Sequence, residues 1–284
     1  MRTLLLAAWL AAYPAPTRPV VIPFTTTPDG FVLLPATVGG NIPVHLILDT
    51  GAGFDVLAQS LVDRQHLTPT SQFTGFVFSG DRVDVSLFNV STVALASFER
   101  QNVTVAGLAL LDQVHQDGIV SMSAFRHQPI TIDFVNKVVV LETPTSLAAR
   151  RKAGTAVPIQ LDDDRGIALD MYARFLLGSD TAQCIIDTGS PSATISLRYL
   201  GALGVDTADT AVHKHRTQNA AGAMLTRYGT NIARLSLLAP KSVTAEHPRV
   251  SFANIIYDCA VGVDFWAGKV VTFDIAGREL IVAN

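Results

Sequence analysis

Charge is sparse in this sequence and almost balanced: 16% of its 284 residues are Asp, Glu, Lys or Arg, and 21 basic against 24 acidic side chains leave a formal net charge of −3. A chain without a basic surplus does not build the field that neutralises a phosphate backbone, so no nucleic-acid partner is expected, and without a long run of one sign there is no charged tail. Nucleophile and metal chemistry are just as thinly provided. There are only two cysteines, neither with an evident histidine partner, and there is no Gly-x-Ser-x-Gly elbow and no Gly-rich phosphate loop. His213-Lys214-His215 is half a metal site at best, because no second pair at ligand spacing accompanies it; it reads as an exposed loop. No apolar run reaches the roughly 20 residues that a membrane-spanning helix needs.

What is present favours short strands and tight turns: 49% hydrophobic residues with 20 Gly and 14 Pro. The chain opens Met1-Arg2-Thr3, continues through the apolar run Leu4 to Ala12, and exits through Tyr13-Pro14-Ala15-Pro16, the layout of an export signal occupying residues 1–15. The remainder is expected to be exported, to the periplasm or beyond, and to have no stable membrane insertion. Export gives Cys184 and Cys259 two readings, a disulfide permitted by an oxidising compartment or a pair of buried thiols.

The triplet Asp-Thr-Gly occurs twice, as Asp49-Thr50-Gly51 after Leu46-Ile47-Leu48 and as Asp187-Thr188-Gly189 after Cys184-Ile185-Ile186. One copy is expected by chance in roughly one chain of this length in twenty, and would read as a turn. Two copies belong to a repeat. The aspartates are 138 positions apart, as are Gly40 and Gly178, and Ala58 and Ser196, each of which opens a short helix-like stretch, 59–67 and 197–205. Further on, Asp117 to Phe125 aligns with Asp258 to Trp266, and Ile130-Thr131-Ile132-Asp133-Phe134 with Val271-Thr272-Phe273-Asp274-Ile275, now 141 positions apart. An offset that changes once, by three residues, places a small insertion in the middle of the second unit. The expected architecture is all-β: two pseudo-twofold-related lobes, 16–148 and 149–284, joined by an irregular linker over 143–154 whose basic cluster is solvated. Asp162-Asp163-Asp164 reads as a hairpin turn.

Two carboxyl groups brought together by two such loops can hydrolyse an amide without a metal or a covalent nucleophile, so no cofactor is called for. Like charges a few Å apart do not both ionise readily, and the pair holds one proton between them. The ionised member activates water while the protonated one polarises the carbonyl oxygen. Asp49 and Asp187 are the catalytic candidates. Thr50, Gly51, Thr188, Gly189 and Ser190 support the loops: the glycines permit close approach, and the threonine hydroxyls can bond across the junction. Of Ala52 and Ser190, only Ser190 can donate to its carboxylate, and a donor favours the charged form. That makes Asp187 the expected ionised member.

With these residues in view, the chain resembles the aspartic proteases of the pepsin and retroviral clan, and most of all single-chain exported proteins with two retropepsin-like lobes. The likeness runs from about residue 20 to the C-terminus. It implies that each lobe supplies Asp-Thr-Gly followed by Ser or Ala, and later a hydrophobic-hydrophobic-Gly segment beneath the catalytic loop. Ala260-Val261-Gly262 fits that segment, whereas Ile119-Val120-Ser121 departs from it at Ser121, which is expected to shift or tilt the first loop. The resemblance further implies flap hairpins over the substrate, with tips at Phe76 to Asp81 (Ser79 and Gly80) and at Gln218 to Ala223 (Ala221 and Gly222), and an endopeptidase acting as a monomer on peptides or proteins. The alternative is a weak or inactive protein of the same fold that binds peptides.

Overall fold

The computed structural model describes residues 17–219 and 221–283. The expected leader, residues 1–15, and Ala220 in the second flap lie outside the described residues. No helix among the described residues is long and apolar enough to cross a membrane.

The two units are built alike. In the first, the strands Val32–Val38, Ile42–Asp49, Gly118–Ser121, Val56–Ala58, Phe98–Leu108, Arg82–Leu95 and Ser71–Phe76 pair in that order, and the sheet closes on itself where Thr37 and Val38 pair with Ala94 and Val93. In the second, Ala168–Leu177, Asp180–Ile186, Cys259–Val261, Ala193–Ser196, Arg249–Ala253 and Met224–Asn231 repeat the path. Two long strands of the first unit are each interrupted in the second, giving Met224–Asn231 with Arg234–Leu237, and Val243–Glu246 with Arg249–Ala253. Closed or nearly closed antiparallel sheets leave few unpaired edges, which suits a chain of many short strands.

Each Asp-Thr-Gly triplet follows a strand buried on both faces, which is why both strands read as continuous apolar runs rather than alternating ones. Leu46, Leu48, Ile185 and Ile186 are all buried. Each of these two strands makes a parallel pairing: Leu46 to Asp49 beside Gly118 to Ser121, and Cys184 to Ile186 beside Cys259 to Val261. The second pairing puts Cys184 directly opposite Cys259, with Cα atoms 4.6 Å apart and a disulfide between them. Of the two readings left open for the cysteines, the bridge is the one observed.

A six-stranded sheet belongs to both units: Val20–Pro23, Val138–Leu141, Ile130–Asp133, Val270–Asp274, Glu279–Ala283 and Thr155–Pro158. Its two central strands are repeat equivalents paired antiparallel, and Thr131 faces Thr272 with the hydroxyls 2.7 Å apart. A residue bonded to its own equivalent marks the pseudo-twofold axis. The core is continuous across the units, and its largest side chains include Trp266, Phe125, Phe175 and Phe273, each stabilising the fold by about 1.5–3 kcal/mol when removed from water.

Three local expectations are corrected. Residues 143–154 are not an irregular linker: Pro144–Ala153 is a helix, with Thr143 and Ser146 forming a reciprocal cap and Pro144 in the first turn. Its basic cluster is not merely solvated, because Arg150 pairs with the buried Glu142, and Arg151 with Asp274 and Glu279. The second helix-like stretch is only a 3-10 turn at Leu197–Tyr199, whereas Gln59–Arg64 is α-helical. His213-Lys214-His215 lies on an exposed flap strand, His213–Gln218, rather than in a loop.

Candidate active site

The two Asp-Thr-Gly loops meet at the junction of the units and are locked by their threonines. Thr50 N–H donates to Thr188 Oγ1 and Thr188 N–H to Thr50 Oγ1, both at 3.0 Å. Each hydroxyl then donates across the junction, Thr50 Oγ1 to Ile186 O and Thr188 Oγ1 to Leu48 O, both at 2.7 Å. Every polar group of this buried exchange is satisfied, so the loops are fixed relative to one another to within a hydrogen-bond length.

The lock brings Asp49 and Asp187 together. A Cβ on Gly51 would stand 2.6 Å from Asp187 Oδ1, and a Cβ on Gly189 would collide with the Asp49 carboxylate. Each triplet therefore needs glycine to admit the other lobe's aspartate. The two carboxyl groups are hydrogen-bonded to each other, and both resist ionisation. Asp49 is raised by burial, against donation from the Gly51, Ala52 and Gly189 N–H groups. Asp187 is raised to about 8, by burial first and the charge of Asp49 second, with the Ser190 hydroxyl opposing.

That asymmetry reverses the sequence-based expectation. Ser190 does donate to Asp187 Oδ2, but the backbone does more for Asp49, whose Oδ1 accepts from Gly51 N at 2.8 Å and Ala52 N at 3.1 Å. Asp187 is also the more buried, only 3% exposed. Asp49 is the member better equipped to carry the charge, and Asp187 to hold the proton. Side-chain donors were visible in the sequence; backbone donors were not.

Ser121 is buried and hydrogen-bonded at the position where the second unit has Gly262. In the second unit, a Cβ on Gly262 would meet the Ser190 and Ser192 backbone at 2.6–2.7 Å. In the first, Ser121 lies against Asp55, which accepts from both Ser121 N (2.8 Å) and Ser121 Oγ (3.0 Å). Ser123 Oγ lies 2.6 Å from Ser121 Oγ, and Arg100 pairs with the other Asp55 oxygen. A buried polar cluster takes the place of the close packing that glycine gives in the other lobe.

A cleft of about 730 Å³ opens over the two aspartates. The first flap is the hairpin Ser71–Phe76 with Arg82–Leu95, and the second is His213–Gln218 with Met224–Asn231. Their tips touch, Asn219 Nδ2 donating to Ser79 Oγ at 2.7 Å and Asp81 Oδ2 at 2.8 Å; separately, Ile256 N, beyond the strand Arg249–Ala253, donates to Phe78 O at 2.9 Å. Ser79 lines the cleft; Gly80, Ala221 and Gly222 do not, and belong to the turns instead. Asp162, Asp170, Tyr257 and Arg227 also line the cleft. Tertiary pairing alone brings the last three there, so no local signal singled them out.

A family model described as aspartyl protease matches residues 34–124, within the first lobe. Among solved structures, basic 7S globulin from soybean aligns with a TM-score of 0.57 at 9% identity, over 94% of this chain and 95% of that one. A structure titled edgp aligns with a TM-score of 0.57 at 11% identity, over 94% of each chain. No curated protein matches in sequence. At such identities the likeness is one of fold, and it extends over both lobes: the fold is aspartic-protease-like.

Proposed function

We propose that this chain, aspartic-protease-like in fold, is an endopeptidase that hydrolyses peptide bonds with a water held between Asp49 and Asp187. The observation that carries the reading is the unequal pair: two hydrogen-bonded carboxyl groups, one from each lobe, with Asp187 held protonated by burial and Asp49 supported by backbone donors. Asp49 takes a proton from the water as its oxygen bonds to the scissile carbonyl carbon, while Asp187 gives its proton to the carbonyl oxygen. The resulting gem-diol collapses as the proton now on Asp49 passes to the departing nitrogen and a diol proton returns to Asp187. The C–N bond breaks, and the pair regains its starting state.

The cleft beneath two flaps suits an extended peptide, whose backbone groups can bond to the hairpins above it. One chain carries both half-sites, which supports action as a monomer. The Cys184–Cys259 disulfide supports export to an oxidising compartment. A mixed peptide library incubated at several pH values with wild type, Asp49→Asn and Asp187→Asn tests the activity. Cleavage by wild type alone is expected, and undiminished cleavage by either variant would overturn the assignment. The joined flap tips favour a second reading, a protein that holds peptides without turnover; peptide binding with no cleavage by any of the three would establish it.

A further inference from the structure

The cleft carries an uncompensated negative end. Beside the Asp49 loop, Leu169 N donates to Gly53 O at 2.8 Å, and the next residue, Asp170, places Oδ1 3.7 Å from where a Cβ would stand on Gly53. Asp162 is directly opposite Asp170 across the hairpin. Like charges at facing positions of paired strands are destabilising, and burial together with Asp162 pushes Asp170 up to about 6. The neighbouring carboxylates are neutralised, Asp163 by Arg126 and Asp164 by Arg165. Asp162 and Asp170 have no ion-pair partner among the described residues; the Tyr172 hydroxyl favours the charged form of Asp170 without overcoming the effect of burial. Arg227, a cation that lines the same cleft, is committed elsewhere: it donates to Thr217, Thr194 and Ser251 and feels the charge of Asp187.

Of the aromatic side chains at this end, Tyr257 and Phe78 line the cleft, and Tyr172 packs against Tyr257 without lining it. The Tyr172 and Tyr257 rings are 6.0 Å apart, and Tyr257 meets Phe78 of the first flap edge-to-face at 5.5 Å. Carboxylates beside ring faces, in a cleft that already holds the catalytic pair, suit a long cationic side chain, whose charge meets the carboxylates while its stem or guanidinium plane lies on the rings. A bare metal ion is not indicated, because no group of three or more His, Cys, Asp or Glu side chains among the described residues could hold one.

We propose that Asp170, backed by Asp162 and flanked by Tyr172 and Tyr257, is the specificity-determining residue of a subsite that takes a Lys or Arg side chain of the bound peptide near the scissile bond. The consequence for cleavage rests on the endopeptidase reading; the consequence for binding does not. Two peptide pools are compared, identical except for Arg or norleucine at the central position. In an Asp49→Asn background, which is expected to bind without cutting, the Arg pool should bind about tenfold tighter, the size of one charge-assisted contact. The preference should disappear with Asp170→Asn and persist with Asp170→Glu. Wild type should cleave the Arg pool with about tenfold higher kcat/KM, converted from that same contact.

Equal binding of the two pools, or a preference that survives Asp170→Asn, overturns the subsite. Cleavage of both pools by wild type at equal rates also overturns it and leaves the endopeptidase reading standing. An Arg preference in binding with no cleavage by wild type does the reverse.

Discussion

Thr50 and Thr188 each donate a backbone N–H to the other's hydroxyl, and each hydroxyl donates to a carbonyl of the opposite lobe. Four bonds thus depend on two side chains, and none faces water. Thr50→Val keeps the shape of the side chain but leaves Thr188 N and Ile186 O buried without partners. Two stranded groups at about 1–3 kcal/mol each give an expected loss of about 2–6 kcal/mol, read by denaturant unfolding. Thr50→Ser should recover most of it. Activity should fall by more than stability alone accounts for, because the lock also sets the separation of the carboxyl groups.

The shared proton makes stability depend on pH. Both aspartates are raised by the fold, Asp187 to about 8, so above about pH 4, where an unfolded Asp ionises, the native chain holds protons that the unfolded chain has released. Their stabilising contribution is complete below about pH 4 and is lost as pH rises through the range up to about 8. The melting temperature of wild type should therefore decline across that interval, more steeply than that of Asp187→Asn. A slope unchanged by the substitution would remove Asp187 as its source.

The alkaline limit of activity should coincide with loss of the Asp187 proton. Ser190 donates to Asp187 Oδ2 and stabilises its charged form. Ser190→Ala should consequently move that limit to higher pH while leaving the acid limb, governed by Asp49, nearly in place. Steady-state rates of peptide cleavage across pH check this, and a limit that stays put or moves down would contradict the assignment of the proton.

Ser121 and Asp55 separate two roles for one cluster. Ser121→Gly removes a hydroxyl while Asp55 keeps its bonds from Ser121 N and Arg100, so a loss of about 1 kcal/mol is expected, with no gain in activity. Asp55→Ala leaves Arg100 without its ion-pair partner in a largely buried site, a change that costs about 3–5 kcal/mol when buried pairs are broken. Thermal unfolding of the two variants side by side tests the contrast.

The disulfide closes a loop with a sequence separation of 75 residues. Restricting a loop of that size in the unfolded chain is worth up to about 4 kcal/mol, so Cys184→Ala with Cys259→Ala should lower the denaturant midpoint correspondingly. The cleft should be little altered, because the flanking strand pair remains hydrogen-bonded.

The repeat made much of this molecule legible before any coordinates. A shift of 138 positions aligned the aspartates and 141 aligned the strands that meet at Thr131 and Thr272, so the pseudo-symmetry and the bonding of Thr50 and Thr188 across the junction followed from residue type and spacing, whereas the Thr131–Thr272 contact did not. What escaped depended on contacts between distant segments. Pro144 and Ser146 are turn formers by habit, yet with Thr143 ahead of them they begin a helix. Asp49 wins the charge through backbone N–H groups, which every sequence has and none advertises. Asp170, on a strand that reads as ordinary, acquires meaning only from Asp162 across the hairpin and Gly53 in the other lobe.

The six-stranded sheet has a final implication. Its central pairing joins Ile130–Asp133 to its own equivalent, Val270–Asp274, so the edge each unit offers at the axis is complementary to a copy of itself. The instruction for assembling the two halves is therefore written twice, once in each, and a severed chain would still carry in either fragment the edge that recognises the missing one.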